Sequence, residues 1–71
     1  MSLIFAKPGS KVRLLTVRAG RELKARLAAL GLMPGVQMEV LSSGQCGPFV
    51  VAINRSRVVL GRGMAQKIEV E

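Results

Sequence analysis

The sequence predicts a mainly β fold with one helix: a small, strongly bent barrel of about five strands. Three observations carry this. Strand-like apolar runs recur between tight turns, only residues 21–30 have clear helical spacing, and the chain has just 71 residues. A chain this short buries a limited share of its surface. Closing its sheet removes the exposed edges that invite aggregation. Residues 1–71 are read as a single domain. Hydrophobic residues make up 49%, too many for a disordered chain, and Phe5 and Phe49 are the only aromatics, so the core is aliphatic.

The elements follow in order. Leu3, Ile4 and Phe5 form an apolar lead-in closed by Pro8-Gly9. Residues 11–18 read as the first strand. Val12 and Leu14 share one face and Leu15 and Val17 the other, which predicts burial on both sides for part of the strand's length. Ala19-Gly20 is a turn. In the helix that follows, Leu23, Leu27 and Leu30 fall at i, i+4 and i+7 on one face, and Glu22 precedes Arg26 by four residues.

Gly31 stands where a helix needs a left-handed residue in order to stop. Leu32 is then placed to fold back on Leu27. Pro34 fixes φ for the next turn, and Gly35 supplies positive φ after it. Residues 36–41 alternate as a second strand, with Val36, Met38 and Val40 on one side and Gln37 and Glu39 on the other.

Residues 42–48 read as a loop. Residues 49–53 form a third strand that is apolar on both faces, and residues 54–56 turn into a fourth strand over residues 57–60. Gly61-Arg62-Gly63 breaks that strand. Residues 64–67 have room for one helical turn, and residues 68–70 end the barrel. Both Phe5 and Phe49 read as structural.

Chemistry is sparse. There is no histidine and a single cysteine, Cys46, so neither a disulfide nor a His/Cys metal site can form within the chain. The carboxylates are Glu22, Glu39, Glu69 and Glu71. Glu69 and Glu71 share a strand face that could touch a cation, but a solvated face is the simpler reading. Cys46 sits between glycine-bearing segments and reads as an incidental thiol. Gly61-Arg62-Gly63 lacks the Gly-Lys-Ser/Thr of a phosphate loop. No catalytic residue, cofactor or metal site is expected, and the protein reads as a non-enzyme.

The net charge is +7, which suits an acidic protein face, an anionic membrane surface or nucleic acid. Nucleic-acid barrels pair basic grooves with aromatic platforms, and these are lacking here. No apolar run approaches the ~18 residues that a spanning helix needs. Residues 1–6 are too short for a signal peptide. A cytoplasmic location is expected, consistent with a free thiol. Opposite the leucine stripe the helix carries Arg21, Ala25, Ala28 and Ala29, with Lys24 beside them. Alanine is simply the best helix former; equally, small side chains let a partner approach closely.

Taken together, the amino-terminal residues 3–9, Arg26-Leu27, Leu30-Gly31-Leu32, Pro34-Gly35, the strand over residues 36–41 and the ending over residues 65–70 resemble the signature of FeoA domains over nearly the whole chain. The chain departs from the usual family pattern at Ser43-Gly44-Gln45-Cys46-Gly47-Pro48 and at Leu60-Gly61-Arg62-Gly63-Met64-Ala65. The resemblance implies an SH3-like barrel that acts as a cytoplasmic accessory of bacterial ferrous-iron uptake. It would touch the cytoplasmic region of a FeoB permease, and would modulate transport rather than carry the ion. It also implies a free-standing form, with no DNA-binding helix-turn-helix attached.

The expected contact surface is Arg21, Lys24, Ala25, Ala28, Leu32, Met33, Pro34 and Gly35. No nucleic acid and no membrane insertion are expected, and weak self-association is left open. A generic SH3-like adaptor or a basic nucleic-acid-binding barrel is the alternative. Against the adaptor, peptide grooves of that type are lined with aromatics that are missing here.

Overall fold

Alternating strand patterns, with positive-φ residues at Gly9, Gly31, Gly35 and Asn54, bend this chain into one curled antiparallel sheet. The computed structural model describes residues 1–43 and 47–71; Cys46 and the centre of the expected 42–48 loop lie outside the described residues. A 3₁₀ turn at Leu3–Phe5 precedes β1 (Lys11–Val17) and α1 (Arg21–Ala29). Then come β2 (Gln37–Ser43), β3 (Phe49–Ile53), β4 (Ser56–Leu60), α2 (Arg62–Gln66) and β5 (Ile68–Val70). The strands pair in the order β4-β3-β2-β1-β5. The result is the expected mainly β, SH3-like barrel of five strands. Its core is aliphatic apart from Phe49; Leu3, Leu14, Val40, Val51, Ile68 and Val70 are likewise fully buried.

The first strand departs from the expected two-sided burial. Its pairing with β5 shifts between Leu14 and Thr16, so Leu15 is an extra residue in the ladder. A bulge of this kind moves everything beyond it to the other face. Val17 therefore returns to the core beside Leu14, and Leu15 is left 45% exposed. A second shift between Val40 and Ser42 does the same to Leu41.

Three other expectations change. Leu30 is not on the buried stripe: it is the C-cap of α1, where the helical period ends, and it is 53% exposed. Phe5 is 73% exposed, so Phe49 alone is structural. The second helical turn is longer than expected, starting at Arg62 with Gly61 as its N-cap.

The amino-terminal segment closes the β5 side. Ser2 pairs with Glu69. The Ser2 hydroxyl donates to the Gln66 carbonyl at 3.0 Å and accepts from the Ile4 N–H. One side chain thus caps the 3₁₀ turn and answers a free carbonyl at the end of α2.

The helix end follows the sequence reading closely. Gly31 has φ +95°. Its N–H donates to the Ala28 carbonyl, and the Leu32 N–H reaches back to the Leu27 carbonyl, each at 2.9 Å. This is the Schellman pattern, and both Leu27 and Leu32 are 2% exposed. A Cβ on Gly31 would meet only the Ile53 side chain, at 3.7 Å, an ordinary contact. The requirement for glycine is therefore conformational. Gly31→Val is expected to cost at least about 1 kcal/mol through backbone strain, and Leu27→Ala about 2–5 kcal/mol through the cavity it leaves. Urea or thermal unfolding measures both; unchanged midpoints would place the helix end or the core elsewhere.

Candidate functional site

Helix α1 and the corner after it carry the residues expected to meet a partner. Arg21, Lys24 and Ala25 are exposed and Ala28 is half-buried. Arg21, Ala25 and Ala28 follow one another at helical spacing, so they line one side of α1. A shallow hollow at the helix start is lined by Gly20, Arg21, Glu22, Leu23 and Arg26. Glu22 and Arg26 lie 3.6 Å apart, both largely exposed, so their pair is worth little in water.

The corner is a tight turn. The Val36 N–H donates to the Met33 carbonyl at 3.1 Å across Pro34-Gly35, and Gly35 has φ +93°. Proline followed by a left-handed glycine is the type II arrangement. The turn is also tied to β1: the Gly35 N–H donates to the Leu14 carbonyl at 2.7 Å, and the Leu14 N–H donates to the Val36 carbonyl at 2.9 Å. Met33 is thus presented 51% exposed on a fixed backbone, with Pro34 and Gly35 also exposed.

Leu32 is a correction. It is 2% exposed and turned into the core by the Schellman bond, so it supports the corner and cannot be part of a contact surface. Nor do the two ends of the expected surface meet. Arg21 and the corner lie at opposite ends of α1, separated by a nine-residue helix about 13 Å long at ~1.5 Å per residue. Ala25 and Ala28 span the interval.

Two residues that sequence reasoning left out border the corner: Leu30, just before Gly31, and Leu15, next to Leu14, are both exposed. Leu30 follows from the position of the C-cap. Leu15 had no signal in the sequence, because the bulge that expels it depends on its pairing with β5.

The carboxylates also differ from the expected solvated face. The Glu69 side chain is only 16% exposed; Arg18 pairs with it, and the terminal ammonium of Met1 lies 3.7 Å away. Glu71 is exposed beside Lys11, Arg13 and Gln37 in a shallow groove across β1 and β2. Among the described residues, no three His, Cys, Asp or Glu side chains gather where a metal ion could be held. No helix among the described residues is long and apolar enough to cross a membrane.

The class defined by this architecture is a small SH3-like barrel. The model of the FeoA domain matches residues 1–71, and the chain belongs to that family. It is 36% identical over 69 residues to a Methanocaldococcus jannaschii protein named provisionally as Fe(2+) transport protein A, covering 97% of this chain and 83% of the relative. The solution structure of FeoA from Chlorobium tepidum superposes with a TM-score of 0.88 at 31% identity, over 99% of this chain and 68% of that one. A zinc-complexed FeoA from Stenotrophomonas maltophilia, described as a prokaryotic SH3 domain protein, shares the fold at a TM-score of 0.82 and 22% identity, over 100% of this chain and 89% of that one.

With Glu69 held by cations and the other carboxylates dispersed, the isolated domain is expected not to bind Fe²⁺ at micromolar affinity or tighter. Anaerobic calorimetric titration checks this. A one-to-one site lost on changing Glu69, Glu71 or Cys46 would contradict it.

Proposed function

We propose that the protein is a cytoplasmic accessory of bacterial ferrous-iron uptake, acting by protein–protein contact on the cytoplasmic region of a FeoB-type permease. It modulates uptake without carrying the ion and without catalysis. The observation that carries this reading is the corner: an exposed methionine on a backbone fixed from both sides, in a chain of the FeoA family. A rigid apolar projection loses little ordering entropy on binding, and an unbranched, polarizable side chain adapts to its contact. Arg21 and Lys24 would speed encounter with an acidic face and make it salt-sensitive. The contact residues are Arg21, Lys24, Ala25, Ala28, Met33, Pro34 and Gly35, and Leu32 supports them from inside.

Two substitutions test the surface in a pull-down of the permease from cells. Met33→Asp puts a carboxylate into an apolar contact, and Ala25→Glu puts bulk and charge on the small-residue face. Each should lower the recovery of the permease at least about tenfold, equivalent to ~1.4 kcal/mol, while circular dichroism shows a folded domain. Full recovery with both variants would place the contact elsewhere. A wild-type protein that captures RNA and never the permease would favour a nucleic-acid barrel instead.

A further inference from the structure

The two edges of the sheet are treated differently. β5 is covered: Ser2 bridges Glu69, and the Val70 N–H donates to the Met1 carbonyl at 2.7 Å. β4 is the other outermost strand. It leaves β3 through the Asn54-Arg55 turn, with Ile53 opposite Ser56. A two-residue hairpin makes that flanking pair a hydrogen-bonded one, and bonded and non-bonded pairs then alternate. Ser56, Val58 and Leu60 therefore direct their backbone groups at β3. Arg57 and Val59 direct theirs outward. Among the described residues, no hydrogen bond to the outward groups of Arg57 or Val59 is formed.

The side chains around this edge define what it accepts. Val59 is 65% exposed and Arg57 and Arg55 are exposed. Val50 and Ala52, the cross-strand partners of Val59 and Arg57, are half-buried on the same outer face. Cations on an edge are a common guard against unwanted pairing. The guard depends on the sign of the charge. A second copy pairing through Arg57 and Val59 would set the two Arg57 side chains diagonally across the seam, about 7–8 Å apart, between chains that each carry +7. An acidic strand meets attraction at the same place.

We propose that β4 takes up an extended acidic segment of a partner protein as an added antiparallel strand. The backbone groups of Arg57 and Val59 hydrogen-bond the segment. A carboxylate side chain of the segment lies over Arg57 and an apolar one, two residues earlier, over Val59. This is edge-strand recognition, in which main-chain bonds supply affinity and alternate side chains supply specificity. It is independent of docking at Met33, and Met33→Asp leaves it intact.

The test is an NMR titration of the whole chain with a capped threonine-rich peptide bearing glutamate two residues after valine, and with its lysine-for-glutamate counterpart. With the acidic peptide, the Arg57 and Val59 amides shift and exchange about tenfold or more slowly, while the lysine peptide leaves them unchanged. Arg57→Glu weakens the acidic peptide about tenfold and admits the lysine peptide. Val59→Pro abolishes binding; the fold tolerates it because this N–H faces outward, where an edge accepts proline.

If Val59→Pro does not fold, the same acidic peptide N-methylated at its valine and glutamate keeps the charge but loses the donors, and it should not bind. Any of four results overturns the proposal: undiminished binding of the methylated peptide, equal binding of both peptides, no binding at all, or shifts confined to the Lys11–Arg13 groove. Dimerisation of the free chain through β4 in sedimentation also overturns it, since the edge would then select its own copy.

Discussion

The backbone of Leu14 is where the parts of this domain are joined. Its N–H and carbonyl hold Val36 and Gly35, so the corner after the helix is fixed to β1. Opposite, Leu14 is in register with Val70, and the neighbouring Arg13 exchanges backbone bonds with Glu71. The side chain of Leu14 is fully buried. One strand thus serves two ladders: β2 over its first half and β5 over its second. The bulge at Leu15 lets it bend between them, since an extra residue on one side of a ladder both kinks and twists a strand. Without that bend a sheet of five short strands would stay open and leave its apolar face wet.

The surface reflects how little interior the chain has. All eleven Lys and Arg share the exterior with four glutamates, and among the described residues no charged side chain is buried. The Glu69 side chain is only 16% exposed, and it is given two cationic neighbours. That agrees with the cost of removing a charge from water without a partner. Four of the exposed large apolar side chains, by contrast, mark places where the chain turns or slips register: Leu15 and Leu41 at bulges, Leu30 and Met33 around the helix end; Val59 instead lies within the edge strand β4. Apolar exposure is normal in scattered form. Leu30 and Met33 flank the helix end, and Leu15 follows the strand residue whose backbone holds the corner.

The sequence by itself determined the helix end, the corner turn, β3 and β5. Each depends on interactions only a few residues apart: Gly31 and Gly35 supply positive φ, Leu32 bonds back to Leu27, and a continuous apolar run marks β3, whose buried side, that of Phe49, Val51 and Ile53, the fold then chose. The family was legible for the same reason, since its signature lies in that local punctuation. Tertiary structure alone decided the faces of β1, the exposure of Leu15, Leu41 and Phe5, the pairing of Glu69 with Arg18 and the chain start, and the open edge at β4. All of these depend on which strand lies beside which. A period-two pattern carries no record of an extra residue, because inserting one exchanges the two faces without changing the local alternation. Leu32 differs: the local helix-end pattern already turns it back on Leu27, and that same turn takes it off the surface on which Met33 and Pro34 stand exposed.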